Sequence, residues 1–116
     1  MTLATATWVD VCPVATVTRD RGFAALVGGR AVAVFVLSSG DAYAIDHIDP
    51  FHGAPVMARG LVGMVDGVPT VASPLLKQRF ELATGRCLDV NDVALDTFEV
   101  RIDDGKVRVW ANIGGL

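Results

Sequence analysis

The chain lacks most of the features that would announce a function directly. Its longest apolar runs, such as "AVAVFVL" from Ala31 to Leu37, end after seven residues or so. A bilayer-spanning helix needs about 20, so no membrane span is expected. The first residues, "MTLATATWVD", have neither a basic n-region nor an apolar h-region. No secretory signal is therefore expected, and the expected compartment is the cytoplasm. Only two cysteines are present, Cys12 and Cys87, far apart and without a C-x-x-C neighbour. Reduced, buried thiols are the expectation, with a disulfide as the other reading. The ten Lys and Arg residues are scattered and the net charge is −3, so the clustered basic face that phosphate backbones require is missing and nucleic acid is not an expected partner. No nucleophile–base pair and no oxyanion-type glycine loop stand out. "GLVGMVDG" lacks the strand–loop–helix context of a phosphate cradle.

With 116 residues, 52% of them hydrophobic and 20% charged, the chain is expected to form one domain, 1–116, with its core from about 7 to 111. Strand signals dominate it. "TWVDVC" (Thr7 to Cys12) is β-branched and weakly alternating. "GFAALV" and "AVAVFVL" are separated by "GGR", a hairpin turn. "AYAID" follows the turn residues "SSGD". "FEVRI" and "KVRVW" flank "DDG", so a hairpin is expected from Phe98 to Trp110, with Phe98, Val100, Ile102, Val107 and Val109 on its buried face. The only helical turn expected is "PVATV", with Pro13 at a first helical position. The pattern predicts an all-β domain of short antiparallel strands, a small sandwich or partly open barrel. The longest irregular piece is expected from His47 to Val71, and long loops in compact domains usually carry function.

Two stretches in and beyond that piece carry a resemblance. The order W-V-D-V-C-P, then G-A-P-V, then S-P-L, then R-F-E-L-A-T-G-R-C-L resembles a Rieske-type ferredoxin domain, from about Trp8 to Trp110. In that family two loops meet at a 2Fe–2S cluster held by two Cys and two His. The resemblance places the ligand positions at Asp49 and Phe51 in "IDPFHGAP" and at Ser73 and Leu76 in "SPLLKQRF". The family's glycine after the second His corresponds to Lys77. Gly53, Ala54, Pro55, Pro74, Phe80, Thr84 and Gly85 still match the scaffold. Soft thiolates are what such a cluster needs; Phe51 and Leu76 have no donor atom, and Asp49 and Ser73 offer hard oxygens. A Rieske-like fold is thus implied, its two loops forming a vestigial cluster-binding tip.

The segments "IDPF", "RGLVG" and "VASPLLKQRFELATGRCL" look like the small subunits of assimilatory NAD(P)H-dependent nitrite reductases. This resemblance implies an accessory, non-catalytic role in reducing nitrite to ammonium for nitrate assimilation. The large subunit, the implied partner, would carry FAD, siroheme and an iron–sulfur cluster, and this chain would carry no cofactor. Two rivals remain: a Rieske-type electron carrier with relocated ligands, and a free-standing β interaction domain. Whether the chain takes any part in catalysis is open.

The residues of the tip admit two readings each. His47, Asp49 and His52 could form a two-His, one-carboxylate metal site, or two solvent-facing imidazoles beside an Asx turn at Asp49. Phe51 and Leu76 could fill the void left by the cluster, or dock on the large subunit as an apolar knob. In the docking reading the contact residues are Pro50, Phe51, His52, Leu75, Leu76, Lys77 and Arg79. Without a cluster to cross-link them, the loops are expected to be held by apolar contact and by the turn chemistry of Pro50, Pro55 and Pro74, with Phe51 and Leu76 close together.

Overall fold

The structure, a computed structural model, describes residues 6–112. Ten strands run β1 (Ala6–Pro13), β2 (Gly22–Val27), β3 (Arg30–Val36), β4 (Ala42–Asp46), β5 (Leu61–Val65), β6 (Val68–Ala72), β7 (Arg79–Glu81), β8 (Thr97–Phe98), β9 (Val100–Asp103) and β10 (Lys106–Asn112). They form three antiparallel sheets, ordered β1-β10-β9, β2-β3-β4-β8 and β5-β6-β7. None is closed into a barrel. Two single-turn 3-10 segments, Val14–Thr16 and Met57–Arg59, complete the regular structure. The turn expected in "PVATV" forms, but Pro13 ends β1 and caps it from outside.

The hairpin turns follow from local chemistry. Gly28 and Gly29, Asp66 and Gly67, and Asp104 and Gly105 all have positive φ, the backbone that two-residue hairpin loops demand. The second of these pairs corrects the sequence expectation. The stretch from His47 to Val71 is irregular only as far as Gly60; beyond it β5 and β6 pair from Leu61↔Ala72 to Val65↔Val68. Asp66-Gly67 signalled that hairpin, but Gly63 and Pro69 interrupted the strand pattern around it. Pro69 is tolerated because β7 pairs only Thr70–Ala72 of β6.

A second correction concerns "FEVRI". Phe98 pairs with Ala44 of β4, whereas Val100 pairs with Val109 of β10. The chain therefore changes sheets at Glu99, whose carbonyl accepts from the Trp110 N–H at 2.9 Å, and the expected hairpin starts at Val100. Ile102 is exposed rather than buried.

β3 explains the layering. Ala33 and Phe35 belong to one core cluster, with Ile45, Met57, Val71, Phe80, Leu82, Cys87 and Leu95. Val32, Val34 and Val36 belong to another, with Ala44, Val107, Val109 and Ala111. Successive side chains of a strand point to opposite faces, so a strand buried on both sides reads as an unbroken apolar run. Full burial of Phe35 or Phe80 contributes about 2–3 kcal/mol each. Cys12 borders the second cluster and Cys87 lies in the first, and both thiols are free.

The irregular segment is seated against this frame at Gly22. A Cβ there would lie 2.4 Å from the Ala58 carbonyl oxygen and 2.6 Å from the Phe35 ring. Gly22→Ala is expected to destabilise the chain by about 1–3 kcal/mol through overpacking against backbone, read as a lower urea midpoint at unchanged m-value.

Candidate functional site

The site is built from six-residue loops of one design. In the first, the Asp49 N–H donates to the Ala54 carbonyl (2.8 Å) and the Gly53 N–H to the Asp49 carbonyl (2.7 Å). In the second, the Ser73 N–H donates to the Gln78 carbonyl (2.9 Å) and the Lys77 N–H to the Ser73 carbonyl (3.0 Å). The loop from Glu81 to Arg86 repeats the pattern through Glu81 and Gly85. The fifth residue of each, Gly53, Lys77 and Gly85, has a left-handed backbone, with φ of 67, 63 and 77°. In the first two loops the side chain of the leading residue also accepts from the N–H two residues on: Phe51 to Asp49 at 2.7 Å, and Leu75 to Ser73 at 3.3 Å. These are the turns that Asp and Ser side chains make with their own backbone, and the Asx turn expected at Asp49 is present.

The leading residues of the two loops meet. Asp49 and Ser73 are both buried, at 0% and 1% exposure, and the Ser73 hydroxyl donates to Asp49 Oδ2 at 2.5 Å. The other oxygen, Oδ1, accepts from the N–H groups of Phe51 and His52 and faces the His52 Nδ1 at 3.4 Å. Burial opposes the charge on Asp49, but the bonds from Ser73, Phe51 and His52 outweigh it and hold the carboxyl below its ordinary value of 3.8. The loops are thus cross-linked by a charge-assisted hydrogen bond. The expectation of apolar and proline contacts alone omitted it.

His47 has a different place from the one expected. It is buried, at 9% exposure, and its carbonyl accepts from the Val56 and Met57 N–H groups, both at 3.0 Å. Its Nδ1 accepts from the Ala58 N–H at 3.1 Å, which requires a neutral ring with the proton on Nε2. Burial, the largest cause, lowers its pKa, with Asp46 opposing and Arg59 assisting. His47 therefore clamps the segment that leads to the tip instead of facing solvent. Among the described residues no group of three or more His, Cys, Asp or Glu side chains could hold a metal ion.

Phe51 and Leu76 differ in burial. Phe51 is half-buried against the cluster of Phe35 and Phe80, with its ring 6.3 Å from that of Phe80. Leu76 is 67% exposed and Leu75 41%. Pro50, His52, Pro74 and Lys77 are exposed beside them. Arg79 is exposed but engaged, its guanidinium gripping both oxygens of Asp89 at 2.8 and 3.2 Å. Sequence reasoning named His47 but not its buried role, and missed Asp89 and the third loop; the repeat of a left-handed residue four places after Asp49, Ser73 and Glu81 was the faint signal for the last.

A 2Fe–2S cluster does not fit these residues. Two of the four positions have no donor atom, and the other two spend their oxygens on one another across the space between the loops. Of the free thiols, Cys87 is buried in the first core and Cys12 is half-buried beside the second, and neither belongs to either loop.

Ser73→Ala removes the bridge and leaves Asp49 without its partner in the opposite loop; a loss of about 1.5–3 kcal/mol is expected by denaturant titration. Because the folded state holds Asp49 below 3.8, the unfolded chain binds more protons in acid. The carboxylate's contribution is complete above about pH 5 and fades as pH falls through the folded value, so the stabilities of the native chain and Asp49→Asn should converge towards pH 2. Phe51→Ala is expected to lower the melting temperature of the isolated chain, by an amount equivalent to about 1–3 kcal/mol for a half-buried ring.

Comparison with known proteins places this geometry. Residues 7–110 match the family model described as a Rieske-like [2Fe-2S] domain. The nitrite reductase (NADH) small subunit of Escherichia coli K12 is 38% identical over 103 residues, 88% of this chain and 95% of that protein. A nitrite reductase [NAD(P)H] large subunit from Klebsiella oxytoca is 36% identical over 102 residues, 88% of this chain but only 11% of that protein. The solution structure of the E. coli protein NirD superposes with a TM-score of 0.84 at 36% identity, covering 92% of this chain and 98% of that one. The family model over residues 7–110, together with the nearly end-to-end match to the E. coli small subunit and to NirD, shows that the chain belongs to the Rieske-like domain family and, within it, to the small subunits of NAD(P)H nitrite reductase.

Proposed function

We propose that the chain is the accessory small subunit of a cytoplasmic NAD(P)H-dependent nitrite reductase, and that it binds the large catalytic subunit without carrying electrons. Reduction of nitrite to ammonium takes six electrons and eight protons and releases two waters. Every one of those steps belongs to the partner, with the FAD, siroheme and iron–sulfur cluster that the family resemblance assigns to it. The supporting observation is the K. oxytoca protein, in which a segment like this chain makes up 11% of a large subunit. A domain found both as a separate chain and inside its partner is suited to sit against that partner.

The loop chemistry agrees with a structural role. Asp49 and Ser73 are consumed in holding the loops together, and this reading assigns no catalytic residue. The docking end is the tip: Pro50, His52, Leu75, Leu76, Lys77 and Arg79 face outward, and Phe51 braces them from the core side.

Two measurements test the proposal. The native chain is expected to co-purify with the large subunit, and its deletion to lower NADH-dependent nitrite turnover at least about tenfold. A chain that elutes alone, with turnover intact in its absence, would defeat the accessory role. Purified chain holding two irons would replace this reading with that of a carrier with relocated ligands.

A further inference from the structure

The most exposed large apolar side chains near the tip are not confined to the loops. Leu61, at the start of β5, is 78% exposed. It lies opposite Ala72 of β6, which lies opposite Arg79 of β7. Directly opposed residues of an antiparallel pair share a face, so Leu61, Ala72 and Arg79 form one row across the sheet. The loop carrying Leu75, Leu76 and Lys77 leaves the end of that row, between Ala72 and Arg79. On the other side, Gly60 joins Leu61 to Arg59; a Cβ on Gly60 would lie 2.6 Å from the Ala72 carbonyl oxygen. Arg59, Leu61, Leu75, Leu76 and Lys77 are thus all exposed on segments that adjoin this row.

Its charge differs from that of the whole. The chain carries −3, yet the stretches 50–65 and 70–80 contain Arg59, Lys77 and Arg79 and no acidic residue. Arg79 is neutralised by Asp89. Arg59 and Lys77 form no ion pair among the described residues. Lys77 also occupies the left-handed position that glycine holds in the two sister loops, a conformation costing about 1–2 kcal/mol for a residue with a Cβ. The Lys77 backbone is tied to the Ser73 carbonyl, but its ammonium meets no internal partner among the described residues, so a strained residue at an exposed loop tip presents a free cation that points to a use outside the chain.

We infer that this surface docks into an apolar recess rimmed by carboxylates on the large subunit, with Leu61 and Leu76 as its anchors and Arg59 and Lys77 as the cations that meet the rim. The inference rests on the accessory-subunit reading and deepens it. Leucines flanked by cations fit such a recess; a second copy of this chain would have to present a comparable acidic-rimmed recess.

The experiment measures affinity of the full-length chain for its intact large subunit at low and high salt, with thermal melts of each variant to show that folding is kept. Leu61→Asp and Leu76→Asp are each expected to weaken binding at least about 30-fold. The Arg59→Glu, Lys77→Glu double variant should weaken it about tenfold at low salt, and the difference should shrink as salt screens the rim. Leu26→Asp, on the 75% exposed leucine of β2, serves as the control and should bind normally. Native affinity in both leucine variants overturns the surface while leaving the accessory role standing. Absence of binding by the native chain overturns both. If the variants instead abolish self-association and spare large-subunit binding, the surface belongs to a second copy and the inference fails.

Discussion

The tip is organised around one buried carboxylate. Asp49 sits at zero exposure, where an unpaired charge would be too costly to keep. It survives because both oxygens are bonded: Oδ1 by two backbone N–H groups from its own loop and Oδ2 by the hydroxyl of Ser73 from the other. That last bond stands where a metal cluster joins the loops in the Rieske pattern. A hydrogen bond is far weaker than four metal–ligand bonds, so the loops need more than this contact. They obtain it from their shared internal bonding, from the His47 clamp and from the core contacts of Phe51.

The frame beneath the tip depends on β3. Because it is covered on both faces, its position is set by two independent cores, and the β2-β3-β4-β8 sheet becomes a common wall. One core reaches up through Met57, Val71 and Phe80 to the loop bases. The other fastens the sheet to β10 and β1 through Val107 and Val109. Rigidity is therefore delivered to the base of each loop, while Leu75, Leu76 and Lys77 remain at the surface. A firm base under exposed apolar side chains suits a docking element, because little order has to be imposed on binding.

The geometry of the tip loops rests on backbone bonds and turn residues that need no metal. Gly53 and Gly85 keep the left-handed turns, and the leading residue of each tip loop keeps the bond to its own backbone. Asp and Ser can take that place because both accept from the N–H two residues on. Phe51, which the resemblance sets at a ligand position, is half-buried against the core.

Fold class and the hairpins around Gly28-Gly29 and Asp104-Gly105 were legible from the residues alone. Each follows from local rules: strand periodicity and positive-φ turn residues. The β5–β6 hairpin was obscured because Gly63 and Pro69 break the pattern that propensity recognises, and only pairing with β7 and burial of Val71 establish it. The sheet change at Glu99 was invisible for the same reason, since partner choice is not a local property. Most of all, the meeting of Asp49 with Ser73 across 24 residues, the burial of His47 and the different burial of Phe51 and Leu76 were decided by tertiary structure. A side chain's protonation and partners depend on which loops the cores bring together, and no window of sequence contains that information.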